Sequence, residues 1–275
     1  MSKFSILEVV EPHAYLVGEA GSSPETWAER ALLLIEECGR VSHKSEGRIK
    51  PGSAVPFVRK VAIEWGHESI LEHASLTVCF VGSRSMSHQL VRHRIAAYTQ
   101  ESQRFCDYAT PALGLDEQPE CERVSRLKVV VPPSVSADLP AGSLVYQDNV
   151  RITDANCVLE RLSVRRSEEL PPEGVDLRSP VGVFLASVMS SYATYQKLRE
   201  LNIPAEDARE VLPNATKTEV YTTFNLREWR HFFKMRLDKH AQWQIRKVAR
   251  EVFNFLLAVC PVVLEGLRTH SGEVI

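Results

Sequence analysis

At 275 residues the chain is long enough to bury a real core as one large domain, and 44% hydrophobic and 25% charged residues are ordinary for a soluble globular protein. Lys and Arg number 33 against 35 Asp and Glu, a formal net charge of −2 that gives no global field toward nucleic acid or an anionic membrane. The six cysteines (Cys38, Cys79, Cys106, Cys121, Cys157 and Cys260) are scattered, without a CxxC pair or zinc-ligand spacing. A disulfide scaffold and a structural zinc site are therefore not expected, and reduced thiols are.

The start, Met1-Ser2-Lys3-Phe4, lacks the apolar run of a signal peptide, and runs such as Phe255 to Val259 are too short to span a bilayer. The expectation is a soluble cytoplasmic protein that binds no membrane. After a short N-terminal strand, Ser23-Pro24-Glu25 opens a helix with a cap residue, a first-turn proline and an acid at the positive end. Ala28, Ala31, Leu32 and Ile35 follow at helical spacing, with Gly39 as the expected stop. A second helix is predicted from about Ser53 to Trp65, ending at Gly66, then a strand from Ala74 to Val81 and a helix from Ser85 through Arg94.

Residues 111–180 carry many of the prolines, including Pro132-Pro133 and Pro171-Pro172, and read as loops with one short strand at Leu127 to Val131. Residues 165–180 look like a local insertion. From Val181 a long helix sets Leu185, Val188, Met189 and Tyr192 on one face, and Lys217 to Phe224 reads as a strand. Asn225-Leu226-Arg227-Glu228 has the cap and third-position acid of a capping box, opening a helix to about Leu237 with Met235 and Leu237 toward the core. A last helix runs from His240 to Cys260, where Pro261 ends it. The pattern predicts an α+β fold: a single domain over 1–275 with a central, largely antiparallel sheet and a mostly helical C-terminal half.

The charge is locally uneven. Arg84, Arg92, Arg94 and Arg104 form one basic stretch, and Arg227, Arg230, Lys234, Arg236 and Lys239 form a second. Local positive charge on a nearly neutral protein suits a small anionic ligand better than a polymer. The densest chemistry runs from Gln89 through Arg92-His93-Arg94 to Thr99-Gln100-Glu101-Ser102-Gln103-Arg104-Phe105. Three consecutive cationic or cationisable residues cannot share one helix face, so they point apart at a helix end, where they complement its negative pole. Ser102 and Arg104, two apart, fall on one side of an extended loop and would cradle a phosphate, each charge-assisted bond worth roughly 1.5–3 kcal/mol. The competing reading makes Arg92 and Arg94 solvated charges around a core histidine. Composition leaves the two level.

Arg92-His93-Arg94, seven residues, then Ser102 resembles the signature of the flavin-dependent thymidylate synthase family. His67-Glu68-Ser69 through Glu72-His73 is similar to that family's upstream segment, and Ala208-Arg209-Glu210-Val211-Leu212-Pro213 to its Ala-Arg-x-x-Leu-Pro. Phe224-Asn225-Leu226-Arg227 and Arg236-Leu237-Asp238-Lys239-His240-Ala241-Gln242-Trp243-Gln244-Ile245 resemble its C-terminal pair. These five segments stand in family order over roughly residues 60–250.

The resemblance implies synthesis of dTMP from dUMP, a methyltransferase reaction. Its carbon comes from 5,10-methylenetetrahydrofolate and its hydride from FAD reduced by NADPH, with no cysteine nucleophile. Carried over by motif, FAD is expected at His67, Ser69, Arg92, His93, Arg94, Gln100, Asn225, Arg227 and His231. dUMP is expected at Gln89, Arg92, Gln100, Glu101, Ser102, Arg104, Arg209 and Arg236, with Ser102 and Arg104 at its phosphate. Arg236 is the expected catalytic residue, since a permanently charged planar fork of donors suits a uracil ring that gains negative charge. A homotetramer with shared active sites is also implied. Thr99 and Gln100 stand where some members have Asn and Glu. His231 stands where others have Asn and would add pH dependence.

Ser102 has neither a Ser-His-Asp arrangement nor an elbow glycine, so it reads as a ligand-binding residue rather than a nucleophile. His73 and His240 read as bracing residues, and Gln242 and Trp243 as structural. A metallohydrolase fails on spacing, since HExxH needs histidine at Leu71 and HxxEH needs it at Ser69, and no metal is expected. A Rossmann enzyme lacks its GxGxxG, and cysteine-dependent thymidylate synthesis lacks a Pro-Cys-His context. A phosphate- or nucleic-acid-binding module using the two basic stretches is the alternative, disfavoured by the net charge and the lack of a binding fingerprint.

Overall fold

The computed structural model describes residues 6–17, 23–109, 126–135, 139–153, 156–165 and 173–275. In chain order, strands β1 (Ile6–Val9) and β2 (His13–Leu16) precede helix α1 (Pro24–Arg40) and the short helix α2 (Ala54–Val58), which widens into a π-helical turn over Arg59–Glu64. Strand β3 (Ser75–Ser83), helix α3 (Arg84–Leu90) and strand β4 (Ala97–Gln100) follow. Next come β5 (Arg126–Val129), β6 (Leu144–Thr153), β7 (Asn156–Arg165) and β8 (Glu173–Gly174). The remainder is α4 (Pro180–Glu200), α5 (Ala205–Ala208), β9 (Lys217–Asn225), α6 (Leu226–Arg236) and α7 (Trp243–Val259).

The α+β expectation holds, with mostly antiparallel pairing and a helical C-terminal part. The strands divide between two sheets, and the chain forms two compact units. The first unit comprises residues 1–11, 82–85 and 101–218 and contains the sheet β5-β1-β6-β7-β8. Here β1 pairs parallel to β5 (Leu7 beside Leu127) and antiparallel to β6 (Leu7 beside Val145). Leu7, Leu127, Val129 and Val145 pack with Leu185, Val188, Met189, Tyr192 and Tyr195 of α4. The predicted α4 face is therefore the buried one, and Ser179 caps the helix by accepting the Gly182 N–H.

The second unit comprises 12–81, 86–100 and 219–275 and contains most of the sheet β2-β3-β9-β4. Its core gathers Ala31, Leu32 and Ile35 of α1, Phe80 of β3 and Phe224 of β9 with Trp229, Phe232 and Phe233 of α6 and Val248, Val252 and Leu256 of α7. The α6 face that meets this core is aromatic, and Trp229 lies edge-on to Phe232 with ring centroids 5.6 Å apart.

Three expectations are corrected. Gly39 does not stop α1: the helix runs on to Arg40, and a Cβ at 39 would sit 2.7 Å from Cε1 of the Phe57 ring. The glycine is there for close packing, whereas Gly66, at φ 74, is a true terminator. The span 111–180 holds a long antiparallel pair, β6 with β7, rather than loops. Its register shifts at Gln147/Asn149 and Asn149/Val150, which interrupts the period of two by which a strand is recognised. Met235 is 36% exposed and faces outward, while Leu237 is buried as expected. Pro171-Pro172, Cys121 and part of the suspected insertion lie outside the described residues.

Candidate active site

In the second unit two sequence-distant segments meet. Helix α3 ends at Leu90 and the chain turns through Val91 and Arg92, so Arg92, His93 and Arg94 do project separately beyond a helix end. The Tyr98 hydroxyl on β4 pins this turn, lying 2.8 Å from the Leu90 carbonyl and 2.6 Å from that of His93. Burial, and next the Glu228 carboxylate, push the Tyr98 phenol up, so it remains a donor. His93 is turned inward, its ring centroid 5.0 Å from that of Phe232 on α6 and 5.6 Å from that of His231.

Both His93 nitrogens are engaged by α6. Arg236 Nε donates to His93 Nε2 at 3.0 Å, and His93 Nδ1 lies 2.9 Å from Glu228 Oε1. A guanidinium has donors only, so Nε2 carries the lone pair and the ring proton sits on Nδ1, donated to Glu228. Arg236 also donates through Nη2 to the Gln89 carbonyl at 3.0 Å. Burial lowers the Arg236 guanidinium from its usual value, yet it stays protonated at neutral pH.

The other cations of the second basic stretch are matched by acids. Arg227 pairs with Glu72, Arg230 Nε with Glu68 at 3.0 Å, Lys234 with Glu68 at 3.9 Å and Lys239 with Glu273 at 3.0 Å. Arg236, in contrast, meets two uncharged partners. This counts against the nucleic-acid reading of that stretch, because four of its five cations are already engaged by three carboxylates, Glu68 serving both Arg230 and Lys234. It also places Glu68 and Glu72 on arginines rather than in a metal-binding pair with the neighbouring histidines. Among the described residues, donor atoms of His93, Glu228 and His231 lie within 4.8 Å of one another. The hydrogen bonds to Glu228 and Arg236 already satisfy both nitrogens of His93.

His67 and Ser69 are exposed, as are Arg92 and Arg94, and among the described residues neither of these two guanidinium groups has an ion-pair partner. Exposed, unpaired guanidinium groups suit a diphosphate. Asn225 caps α6 by accepting the Glu228 N–H at 2.8 Å, so its amide oxygen is committed to the fold. The Gln100 amide nitrogen donates to Ser87 Oγ at 2.9 Å.

The remaining predicted residues belong to the first unit. Residues 103–105 form a turn rather than an extended loop, and Ser102 Oγ accepts the Arg104 N–H at 3.2 Å. Arg104 is 58% exposed and pairs through Nε with Glu206 at 2.5 Å, and Arg209 lies 3.7 Å from Glu210. Glu101 is braced at both oxygens, by the Tyr108 hydroxyl at 2.9 Å and Lys217 Nζ at 3.1 Å. At the far end of the loop Asp107 accepts from Tyr195 at 2.8 Å and Arg199 at 2.8 Å. Glu101 thus anchors the loop that carries Ser102 and Arg104.

Sequence reasoning missed Tyr98, Asp107 and the role of Glu228. The third-position acid after Asn225 has the sequence pattern of a capping box, but its side chain goes to His93 instead. Only the pairing of α6 with the turn after α3 reveals this.

Residues 26–262 match the family model described as thymidylate synthase complementing protein. A flavin-dependent thymidylate synthase of Mycobacterium sp. (strain JLS) is 34% identical over 251 residues, covering 90% of this chain and 84% of that protein. The Pyrococcus furiosus protein of the same name is 34% identical over 225 residues, 82% of this chain and 69% of its own. Among solved structures, the Helicobacter pylori flavin-dependent thymidylate synthase complexed with FAD and dUMP superposes with a TM-score of 0.58 at 16% identity, covering 93% and 99% of the two chains. The Streptomyces cacaoi UMP/dUMP methylase bound with 5-Br dUMP reaches 0.61 at 22% identity, over 93% and 94%. These two likenesses are of fold. The motifs, the family model and the relatives agree: the chain belongs to the flavin-dependent thymidylate synthase family.

Proposed function

We propose that this protein makes dTMP by reductive methylation of dUMP, with 5,10-methylenetetrahydrofolate as carbon donor and NADPH as reductant. The observation that carries the reading is Arg236, a half-buried guanidinium held by uncharged groups while its cationic helix neighbours are held by acids. Such a group is positioned to meet negative charge that develops on a bound ring.

FAD, when bound, supplies the hydride. Arg92, Arg94, His67 and Ser69 offer exposed polar groups suited to its phosphates and sugar, with His231, Asn225 and Arg227 along α6 and His93 beneath as the ring that orients Arg236. Gln89, Arg92 and Gln100 are assigned to the nucleotide, and Ser102, Arg104 and Arg209 to its phosphate, with Glu101 holding their loop. Arg236 faces the pyrimidine and draws charge toward the carbonyl-bearing edge, lowering the barrier to attack by C5. No cysteine attack on the ring is required.

We further assign the whole chain to a single catalytic domain working as a cytoplasmic homotetramer with shared active sites. No helix among the described residues is long and apolar enough to cross a membrane. The absorbance spectrum of the reconstituted protein tests the cofactor and substrate together. It should show bound flavin, bleach on addition of NADPH, and shift on addition of dUMP. A protein that retains no flavin after reconstitution contradicts the proposal.

A further inference from the structure

We propose that Glu228 is a positioning residue for Arg236: through the His93 imidazole it fixes which edge of the guanidinium faces the ligand. The inference rests on the assignment of Arg236 to the pyrimidine and goes beyond it.

Glu228 and Arg236 lie eight residues apart on α6, about 12 Å along the helix axis at 1.5 Å per residue, too far to pair directly. The imidazole of His93, delivered by the turn after α3, spans the gap with one nitrogen on each. Glu228 and His93 are each 6% exposed, so the carboxylate is withdrawn from water. The arginines nearest to it in sequence, Arg227 and Arg230, are held by Glu72 and Glu68. The hydrogen-bond path from Glu228 leads through the ring to Arg236. A carboxylate on Nδ1–H makes Nε2 a better acceptor and fixes the tautomer, as it does for histidines bound to metals.

For Arg236 the consequence is geometric. Nε is held by His93 and Nη2 by the Gln89 carbonyl, so one edge of the plane belongs to the protein. Among the described residues Nη1 has no acceptor, and the Nη1/Nη2 edge is the one left for a ligand. Without the carboxylate, the His93 proton is free to move to Nε2. That nitrogen then presents a donor to a donor, and the Nε contact is lost.

Two other roles for Glu228 fit less well. As a capping acid it would reach back to the Asn225 N–H, yet its side chain goes to His93. As a ligand in a His93–Glu228–His231 cation site it would need His93 Nδ1 deprotonated, driving the proton onto the nitrogen that Arg236 already occupies.

The test uses the full chain reconstituted with FAD, and the variants E228Q, E228A, R236A and E228A/R236A. E228A is expected to lower kcat for dTMP formation by roughly 10- to 100-fold, the range seen when an orienting partner is removed, with KM for dUMP changed less than about threefold and flavin retained. E228Q keeps an acceptor for Nδ1–H and should recover to within about fivefold of wild type. In dUMP binding, read from the flavin absorbance change, the double variant should be no weaker than R236A alone, because both changes act through one group.

Wild-type turnover in E228A, equal losses in E228Q and E228A, or a double variant that binds dUMP clearly more weakly than R236A alone overturns the proposal. Full turnover in R236A instead overturns the assignment of Arg236, and the two failures are distinguishable. Where E228A does not fold, 15N spectra of the wild-type histidine rings decide. A neutral, Nδ1-protonated His93 is expected, and an Nε2-protonated or doubly protonated ring contradicts the relay.

Discussion

Arg236 and His93 stand 143 residues apart in sequence and 3.0 Å apart in space, joined by a hydrogen bond from Nε of one to Nε2 of the other. That contact ties the Arg-His-Arg segment to the C-terminal helix pair, the two parts of the chain that carry the most family-like sequence. Among the described residues it leaves Arg236 as the one cation of its stretch whose protein partners are all uncharged.

Replacing Arg236 by Ala is expected to abolish dTMP formation while much of the flavin stays bound, because Arg92 and Arg94 remain for the diphosphate. Removing one preorganised donor of this sort costs about 2.7–4 kcal/mol of barrier stabilisation, or roughly 10²–10³ in kcat. Flavin content and product formation, measured on one preparation, check both halves. Turnover close to wild type would remove Arg236 from the chemistry.

Ser102→Ala should weaken dUMP binding by about tenfold without ending turnover, in line with loss of one charge-assisted hydrogen bond. The variant also frees the Arg104 N–H, so the turn itself loosens. Titration with dUMP followed in the flavin spectrum reads the affinity. Complete loss of turnover with dUMP bound normally would instead give the hydroxyl a direct chemical part.

Cys106 is exposed and lies four residues beyond Ser102, whereas Cys79 and Cys260 are buried. Burial pushes the Cys260 thiol up to about 12, far from a nucleophilic thiolate. Cys106→Ser is therefore expected to keep turnover within about threefold of wild type. A loss of 100-fold or more would point to covalent attack on the pyrimidine ring.

How much of this was legible beforehand depended on how local the signal was. The Ser23 and Asn225 caps, the buried face of α4 and the strands β3 and β9 follow from side-chain period and capping chemistry within a few residues. The β6–β7 pair did not, since its register shifts break the alternation. Gly39 misled because nothing in the sequence says that Phe57 crosses there. The motif residues of the candidate site were named from the sequence, but their partners were not. Whether a basic residue is neutralised, as Arg230 is by Glu68, or left among uncharged groups, as Arg236 is, depends on tertiary pairing.

The Gly39 packing gives a stability prediction. Gly39→Ala gains helix propensity of about 1 kcal/mol but drives a methyl into a ring held beneath Arg40, whose guanidinium lies 4.7 Å from the Phe57 centroid. Overpacking of this kind costs about 1–3 kcal/mol, so a net loss is expected. Phe57→Leu in the same chain should recover part of it. Thermal melts of the wild type and the two variants decide, and a Gly39→Ala protein more stable than wild type would refute the packing role.

Asp238 accepts the His240 N–H at 2.9 Å and the Ser271 N–H at 2.6 Å, tying the C-terminal tail to the end of α6. These bonds, that of His240 first, hold its carboxyl well below the usual carboxylate range. A depressed folded value stabilises the protein above the unfolded pKa of about 4 and is lost as pH falls through the folded value. Wild type should therefore melt above Asp238→Asn at neutral pH, with the gap closing below about pH 4. A gap that stays constant down to about pH 2 would rule out the carboxylate as its source.

The central claim is that this chain methylates dUMP with flavin as the hydride source. The direct measurement is dTMP formed from dUMP, methylenetetrahydrofolate and NADPH by the purified protein, with and without added FAD. Product that depends on flavin, and that disappears in Arg236→Ala, is the predicted result. No dTMP from fully flavin-loaded protein, or equal product from flavin-free protein, would contradict it.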